Sequence, residues 1–187
     1  TNYSLKVDFV EQEERLGLAH SIYIARETIP DEPVLIILGD TIFDVDLKPV
    51  ISGKYTSLGV KYVEDPRRFG VVQNSGEFAS KLIEKPDTPI SNLALVGLYW
   101  IKNTKVLKKS LTEIVEGEIK TRGEYQLTDA LQKMIGEQYC ELFKLLYGLK
   151  ANYIRPFNVY GSRQNPNSQY AAAVPTFINN LKNDKVS

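Results

Sequence analysis

The chain has 187 residues, 43% hydrophobic and 25% charged, with Lys plus Arg equal to Asp plus Glu at 23 each. That is globular composition, and a net charge of zero lacks the basic excess with which proteins replace the counterions of nucleic-acid phosphates. A single cysteine, Cys140, excludes an internal disulfide, and with a single histidine, His20, no zinc site of the Cys/His type can form. No apolar run approaches the ~20 residues of a membrane span. A cytoplasmic chain is expected, with neither nucleic acid nor membrane as partner. It opens at Thr1 in a stretch that reads as strand or loop, and truncation is expected.

In chain order, residues 18–28 place Leu18, Ala19, Ile22 and Ala25 on one face of a helix, which Pro30 and Pro33 end. Five consecutive apolar residues, Val34 to Leu38, precede Gly39 and Asp40. A run apolar on both faces predicts a central parallel strand, and ligands gather at the carboxyl ends of such strands. Residues 58–64, 69–73, 78–84 and 92–101 read as further strands, separated by turn-forming stretches. A helix is expected over 103–116, with Leu107, Leu111 and Ile114 on its apolar face. From Gln126 to Leu146 a helical stripe runs for about 20 residues, long for a globular helix, with Gly148 as a C-cap. A strand at 151–155, a polar loop at 158–169 and an amphipathic helix at 169–182 complete the chain.

Several short motifs carry candidate chemistry. Asp40, ending a buried strand, offers the hard oxygen that Mg²⁺ prefers, although Gly-Asp is also an ordinary turn. Glu84 and Lys85 together could hold a sugar hydroxyl and a phosphate oxygen, or be a solvated pair before the Pro86 turn. Gly17 allows close backbone approach before a helix N-terminus, and the Gln12 amide could read a base edge; an ordinary loop and cap is the plainer reading. His20 reads as structural, and Tyr99 and Trp100 as core. The loop FNVYGSRQNPNSQY at 157–170 could surround a nucleotide or sugar.

Taken in order, QEERLGLAHSI, PVLIILGDTIF, VEDPRRFGVVQ, KLIEKPDTPISNLALVGLYWI and RGEYQLTDALQKMI make residues 5–135 resemble the sugar-phosphate nucleotidyltransferases, in particular the glucose-1-phosphate thymidylyl- and uridylyltransferase branch. The resemblance implies an α/β fold with a nucleotide-binding mixed sheet. The reaction it implies is attack of a sugar 1-phosphate on the α-phosphorus of a nucleoside triphosphate, releasing pyrophosphate. By the same resemblance Gln12 and Gly17 would contact the base and Asp40 would hold Mg²⁺. Gly70 would meet the sugar through its backbone. Glu84 and Lys85 would bind the sugar and its phosphate, and Leu95 to Gly97 would lie against the ring. The family's glycine-rich loop, with its Arg and Lys, and its later Trp-x-Asp-x-Gly segment do not occur in this sequence, so little or no turnover is expected.

Residues 136–187, with RPFNVYGSRQ, resemble an NAD-dependent nucleotide-sugar epimerase or dehydratase, in which Asn158 would contact the nucleotide-sugar. That family's Tyr-x-x-x-Lys pair and Gly-x-x-Gly fingerprint are absent, so NAD chemistry is not expected. Two domains follow, 1–135 and 136–187, the second an appended α/β fragment joined near 134–137 inside a helix whose apolar stripe stays in phase. The partner expected is a nucleotide-sugar or sugar phosphate. Uncovered strand edges make a homo-oligomer a further expectation. The competing readings are a non-catalytic interaction module and an epimerase fragment.

Overall fold

The computed structural model describes residues 6–147, with side chains through residue 138. All of these residues lie in one compact unit, Thr1–Gly148. The expected strand at 151–155, the loop carrying Asn158 and the helix at 169–182 fall outside the described residues. The element order is α1 (Leu18–Ile24), β1 (Val34–Ile37), α2 (Lys48–Ser52), β2 (Ser57–Tyr62), β3 (Gly70–Ser75), β4 (Phe78–Glu84), β5 (Leu93–Ile101), α3 (Thr104–Glu116) and α4 (Leu127–Tyr147).

β5 organises the sheet. Along one side it pairs with β2, and along the other with β1 at its C-terminal half and β3 at its N-terminal end. β4 continues the sheet from β3. The nine residues of β5 are accordingly the most buried of any strand. Every pairing among the described strands is antiparallel.

This corrects the reading of residues 34–38. β1 is not a central parallel strand: among the described strands it pairs with β5 alone, antiparallel, and its residues are half-buried or exposed. An apolar run reports side-chain chemistry, not the number or direction of neighbouring strands, and LALVGLYWI is the run that became central.

The β3–β4 hairpin closes through a two-residue loop with Gly76 first, at φ 63°, as a type II′ turn requires. In β5 the register against β2 slips. Leu58 faces Tyr99 and Val60 faces Leu95, so Val96, Gly97 and Leu98 stand against the single residue Gly59. This bulge puts Gly97 at φ 76°.

α3 begins at Asn103, whose side chain accepts from the Val106 N–H at 3.2 Å. It buries Leu107, Ser110, Leu111 and Ile114, spaced three, one and three apart, which makes one face. α4 meets it with Leu127, Ala130, Leu131 and Met134 at the same spacing. Leu107, Leu111 and Ile114 are fully enclosed, so truncating any of them to alanine costs about 2–5 kcal/mol. α4 also caps the hairpin: Gln132 Oε1 accepts from the Leu82 N–H at 2.6 Å, satisfying a donor on the outer strand. The helix runs unbroken past residue 135, as the phase of its apolar stripe predicts. α1 stops at Ile24 rather than 28, because residues after it close tighter turns, with Thr28 N–H donating to Ala25. The short α2, with Pro49 as its second residue, was not foreseen.

Candidate functional site

The hairpin, β5 and the first turn of α4 meet at Glu84. Gly70 and Glu84 are directly paired at the open end of the hairpin. Glu84 Oε2 accepts a hydrogen bond from Thr128 Oγ1 at 2.6 Å, and Thr128 is buried. Its other oxygen, Oε1, lies 3.7 Å from Lys85 Nζ. The Glu84 side chain is 9% exposed and that of Lys85 43%, so a carboxylate set into the surface sits beside a reachable cation.

Gly70 is buried in the same cluster. A Cβ there would lie 2.9 Å from Thr128 Oγ1, 3.0 Å from Glu84 Oε2 and 3.1 Å from Leu95 Cδ1. Packing alone therefore requires glycine at this position. Tyr99, also buried, feels the same carboxylate: burial pushes its hydroxyl up to about 12, and the Glu84 charge adds to the shift. Burial likewise pushes the Asp129 carboxyl up, opposed by the Thr121 hydroxyl it accepts from at 2.7 Å and by Lys133.

Two residues beyond Leu95, the bulge joins this cluster to the turn after β1. The Leu38 N–H donates to the Gly97 carbonyl at 2.9 Å, and Thr41 Oγ1 donates to the Val96 carbonyl at 3.0 Å. A Cβ on Gly97 would run into Thr41 Oγ1 and Leu38. Bulges gather beside active sites, where they re-aim the chain. Asp40, between Leu38 and Thr41, is exposed. Among the described residues no group of three His, Cys, Asp or Glu could hold a metal. One exposed carboxylate does not make a resident metal cage. It fits Mg²⁺ arriving with a phosphate ligand, since that ion keeps several waters and takes one or two protein carboxylates.

Gln12 and Gly17 form a separate cluster. The Gln12 amide nitrogen donates to the Gly17 carbonyl at 3.2 Å and lies 3.0 Å from His20 Nδ1. The His20 ring stacks on Tyr23 and Tyr125, the structural role its sequence context predicts. Gly17, at φ 103°, lies so close to the Tyr125 backbone that a Cβ would be 2.6 Å from that carbonyl oxygen. The close approach that its sequence implied is made to the chain itself. Backbone bonds from Tyr125 N–H to Leu16 and from Ala19 N–H to Tyr125 fix this contact.

The structure thus brings together Gly70, Glu84, Lys85 and Leu95, links Gly97 to the Asp40 turn, and joins Gln12 to Gly17. Sequence reasoning missed Thr128, Tyr99 and Arg122 as members of this neighbourhood. The stretch RGEYQLTDALQKMI held Arg122 and Thr128, but only the fold shows that they reach the hairpin.

The residues 1–147 match the family model for nucleotidyl transferases, and the chain belongs to that family. A model of the NAD dependent epimerase/dehydratase family matches residues 108–187. The chain is 38% identical over 141 residues to the bifunctional protein GlmU of Methanocaldococcus jannaschii, covering 75% of this chain and 33% of that protein. It is 34% identical over 146 residues to UTP–glucose-1-phosphate uridylyltransferase 1 of Staphylococcus saprophyticus, covering 69% and 49%. It thus spans a third to a half of the length of these curated relatives. Among solved structures it resembles a glucose-1-phosphate thymidylyltransferase from Bacillus anthracis crystallised with sucrose, at TM-score 0.52 and 26% identity over 67% of this chain and 51% of that one. It shares the fold of apo UDP-glucose pyrophosphorylase at TM-score 0.57 and 24% identity, over 70% and 52%.

Proposed function

We propose that this chain carries the sugar-phosphate half of a nucleotidyl transfer site, the reaction that joins a nucleoside triphosphate and a sugar 1-phosphate into a nucleotide-sugar and pyrophosphate. One observation carries the reading: Glu84, fixed by Thr128 and flanked by Lys85, clusters with Leu95 around Gly70. Glu84 accepts from sugar hydroxyls with the oxygen that Thr128 leaves free. Lys85 supplies a mobile positive charge for the phosphate. Gly70 and Leu95 to Gly97 are proposed as the adjoining wall, and the separate Gln12–Gly17 cluster as the base contact. Asp40 would hold a substrate-borne Mg²⁺, which when bound neutralises phosphate charge. The names of relatives that act on UTP and glucose 1-phosphate support glucose as the sugar.

Binding of the sugar and its phosphate is the part of that reaction proposed for these residues. Residues 136–187 are proposed as an epimerase-like fragment in which Asn158 contacts the nucleotide-sugar; the family match over 108–187 supports this. Titration calorimetry with UDP-glucose and dTDP-glucose tests the reading. Saturable binding of either is expected, and a cooperatively melting chain that binds neither would refute it.

A further inference from the structure

We propose that His20 is a positioning residue for Gln12, whose amide it turns into an acceptor-only contact that reads a base N–H. The proposal rests on the reading of Gln12 as the base contact given above. A primary amide carries two N–H donors and one carbonyl oxygen. The Gln12 amide nitrogen lies 3.2 Å from the Gly17 carbonyl oxygen and 3.0 Å from His20 Nδ1. A backbone carbonyl only accepts, so the contact with Gly17 settles which end of the amide is nitrogen. With one proton on Gly17 and the other on His20, the end left for a ligand is the carbonyl oxygen. The same contact fixes the histidine. Facing a donor, Nδ1 must be the bare nitrogen of a neutral ring whose proton sits on Nε2.

Both partners of the amide are held from outside. The Gly17 carbonyl also accepts from the Ser21 N–H at 3.2 Å, which ties it to the first turn of α1. On either side of Gly17, the Leu16 carbonyl accepts from the Tyr125 N–H at 2.8 Å, and the Ala19 N–H donates to the Tyr125 carbonyl at 2.9 Å. The His20 ring lies between two tyrosines. Its centroid is 6.0 Å from that of Tyr125 and 6.4 Å from that of Tyr23, with interplanar angles of 24° and 29°. Tyr125 is itself buried. Packing therefore sets the plane of the imidazole, and with it the direction of the Nδ1 lone pair. Gln12 is half-buried, which leaves part of it within reach of a ligand.

An acceptor held in this way suits uracil or thymine, whose imide N–H lies between two carbonyls. The corresponding ring nitrogen of cytosine is bare, and two acceptors facing each other leave both unpaired. Discrimination of that kind is strong because the unpaired groups have lost their water. Take the acceptor on His20 away and the second amide proton is released. Gln12 then donates as well as accepts, and the two pyrimidines are told apart less sharply.

Two measurements on the intact chain test this. The first needs no ligand. His20 is the only histidine in the sequence, so nitrogen NMR of its imidazole is unambiguous. A neutral ring with a bare Nδ1 and a protonated Nε2 is expected, and a proton on Nδ1 would overturn the proposal. The second is calorimetric titration with UDP-glucose and CDP-glucose. The unaltered chain is expected to prefer UDP-glucose at least about tenfold. His20→Phe keeps a stacking ring and removes the acceptor, and is expected to cut that preference about threefold or more. Gln12→Ala is expected to cut it at least as far, with no further change when His20→Phe is added. Equal weakening of both ligands by His20→Phe is what a merely structural ring gives. That result, with the preference lost in Gln12→Ala, would overturn the proposal and leave Gln12 as the base contact. A preference that Gln12→Ala leaves intact would instead sink the base-contact reading, and the proposal with it. If the unaltered chain binds neither nucleotide-sugar, that reading fails as well, while the NMR still decides whether His20 holds the amide.

Discussion

The two ends of the candidate site are built differently. At one end Glu84 is sunk among Gly70, Leu95, Tyr99 and Thr128, and the Lys85 turn is tied to Phe69 and Arg122. At the other end Asp40 stands exposed on a turn after β1, tied to the sheet through its neighbours Leu38 and Thr41. The first end holds its geometry without a ligand, which reduces the ordering cost of binding. The second, the proposed Mg²⁺ end, is an exposed charge on a turn. The contrast teaches that a site's halves can be read by what fixes each side chain before anything binds.

The sharpest break of the contrast is Gly70→Ala. The added methyl meets Thr128, Glu84 and Leu95 at once, so a loss of about 1–3 kcal/mol is expected in chemical denaturation. A cost near zero would mean that the Glu84 end is loosely packed. Next is Thr128→Val, which keeps the shape and removes the donor to Glu84. It is expected to cost about 1.5 kcal/mol by the same measurement.

A pH titration probes the same end. The folded Tyr99 hydroxyl sits at about 12 rather than the ordinary 10.0. The folded state therefore keeps a proton that the unfolded chain gives up. The stability so contributed is complete below pH 10 and is lost as pH rises toward about 12. Melting across that window is expected to show an extra fall on the order of 1 kcal/mol that Tyr99→Phe removes. The smallest effect belongs to the other end. Nothing lies within 4 Å of a Cβ placed on Gly39, so Gly39→Ala is expected to change stability by less than about 0.5 kcal/mol.

Much of this was legible in the sequence. All five described strands and the helices α1, α3 and α4 follow from period and punctuation, because alternation and 3-4 spacing are local properties. The neighbours of β1 were not legible, since VLIIL is equally apolar at an edge or in a centre. Glu84 and Lys85 were found by residue type and motif. Their supports were not: Thr128 lies 44 positions from Glu84, and Arg122 37 from Lys85, distances that only the docking of α4 on the hairpin closes. The glycines divide in the same way. Gly76 could be read from its turn, whereas Gly17 and Gly70 are explained by what they touch across the chain.

The most direct test of the account compares Glu84→Gln with Asp40→Asn, each titrated calorimetrically with UDP-glucose with and without Mg²⁺. Glu84→Gln keeps the side-chain shape and is expected to weaken binding at least about tenfold under both conditions. Asp40→Asn is expected to leave Mg²⁺-free binding unchanged and to remove only the increment that Mg²⁺ adds. Unweakened binding by a folded Glu84→Gln chain would contradict the assignment of this end as the sugar-phosphate site.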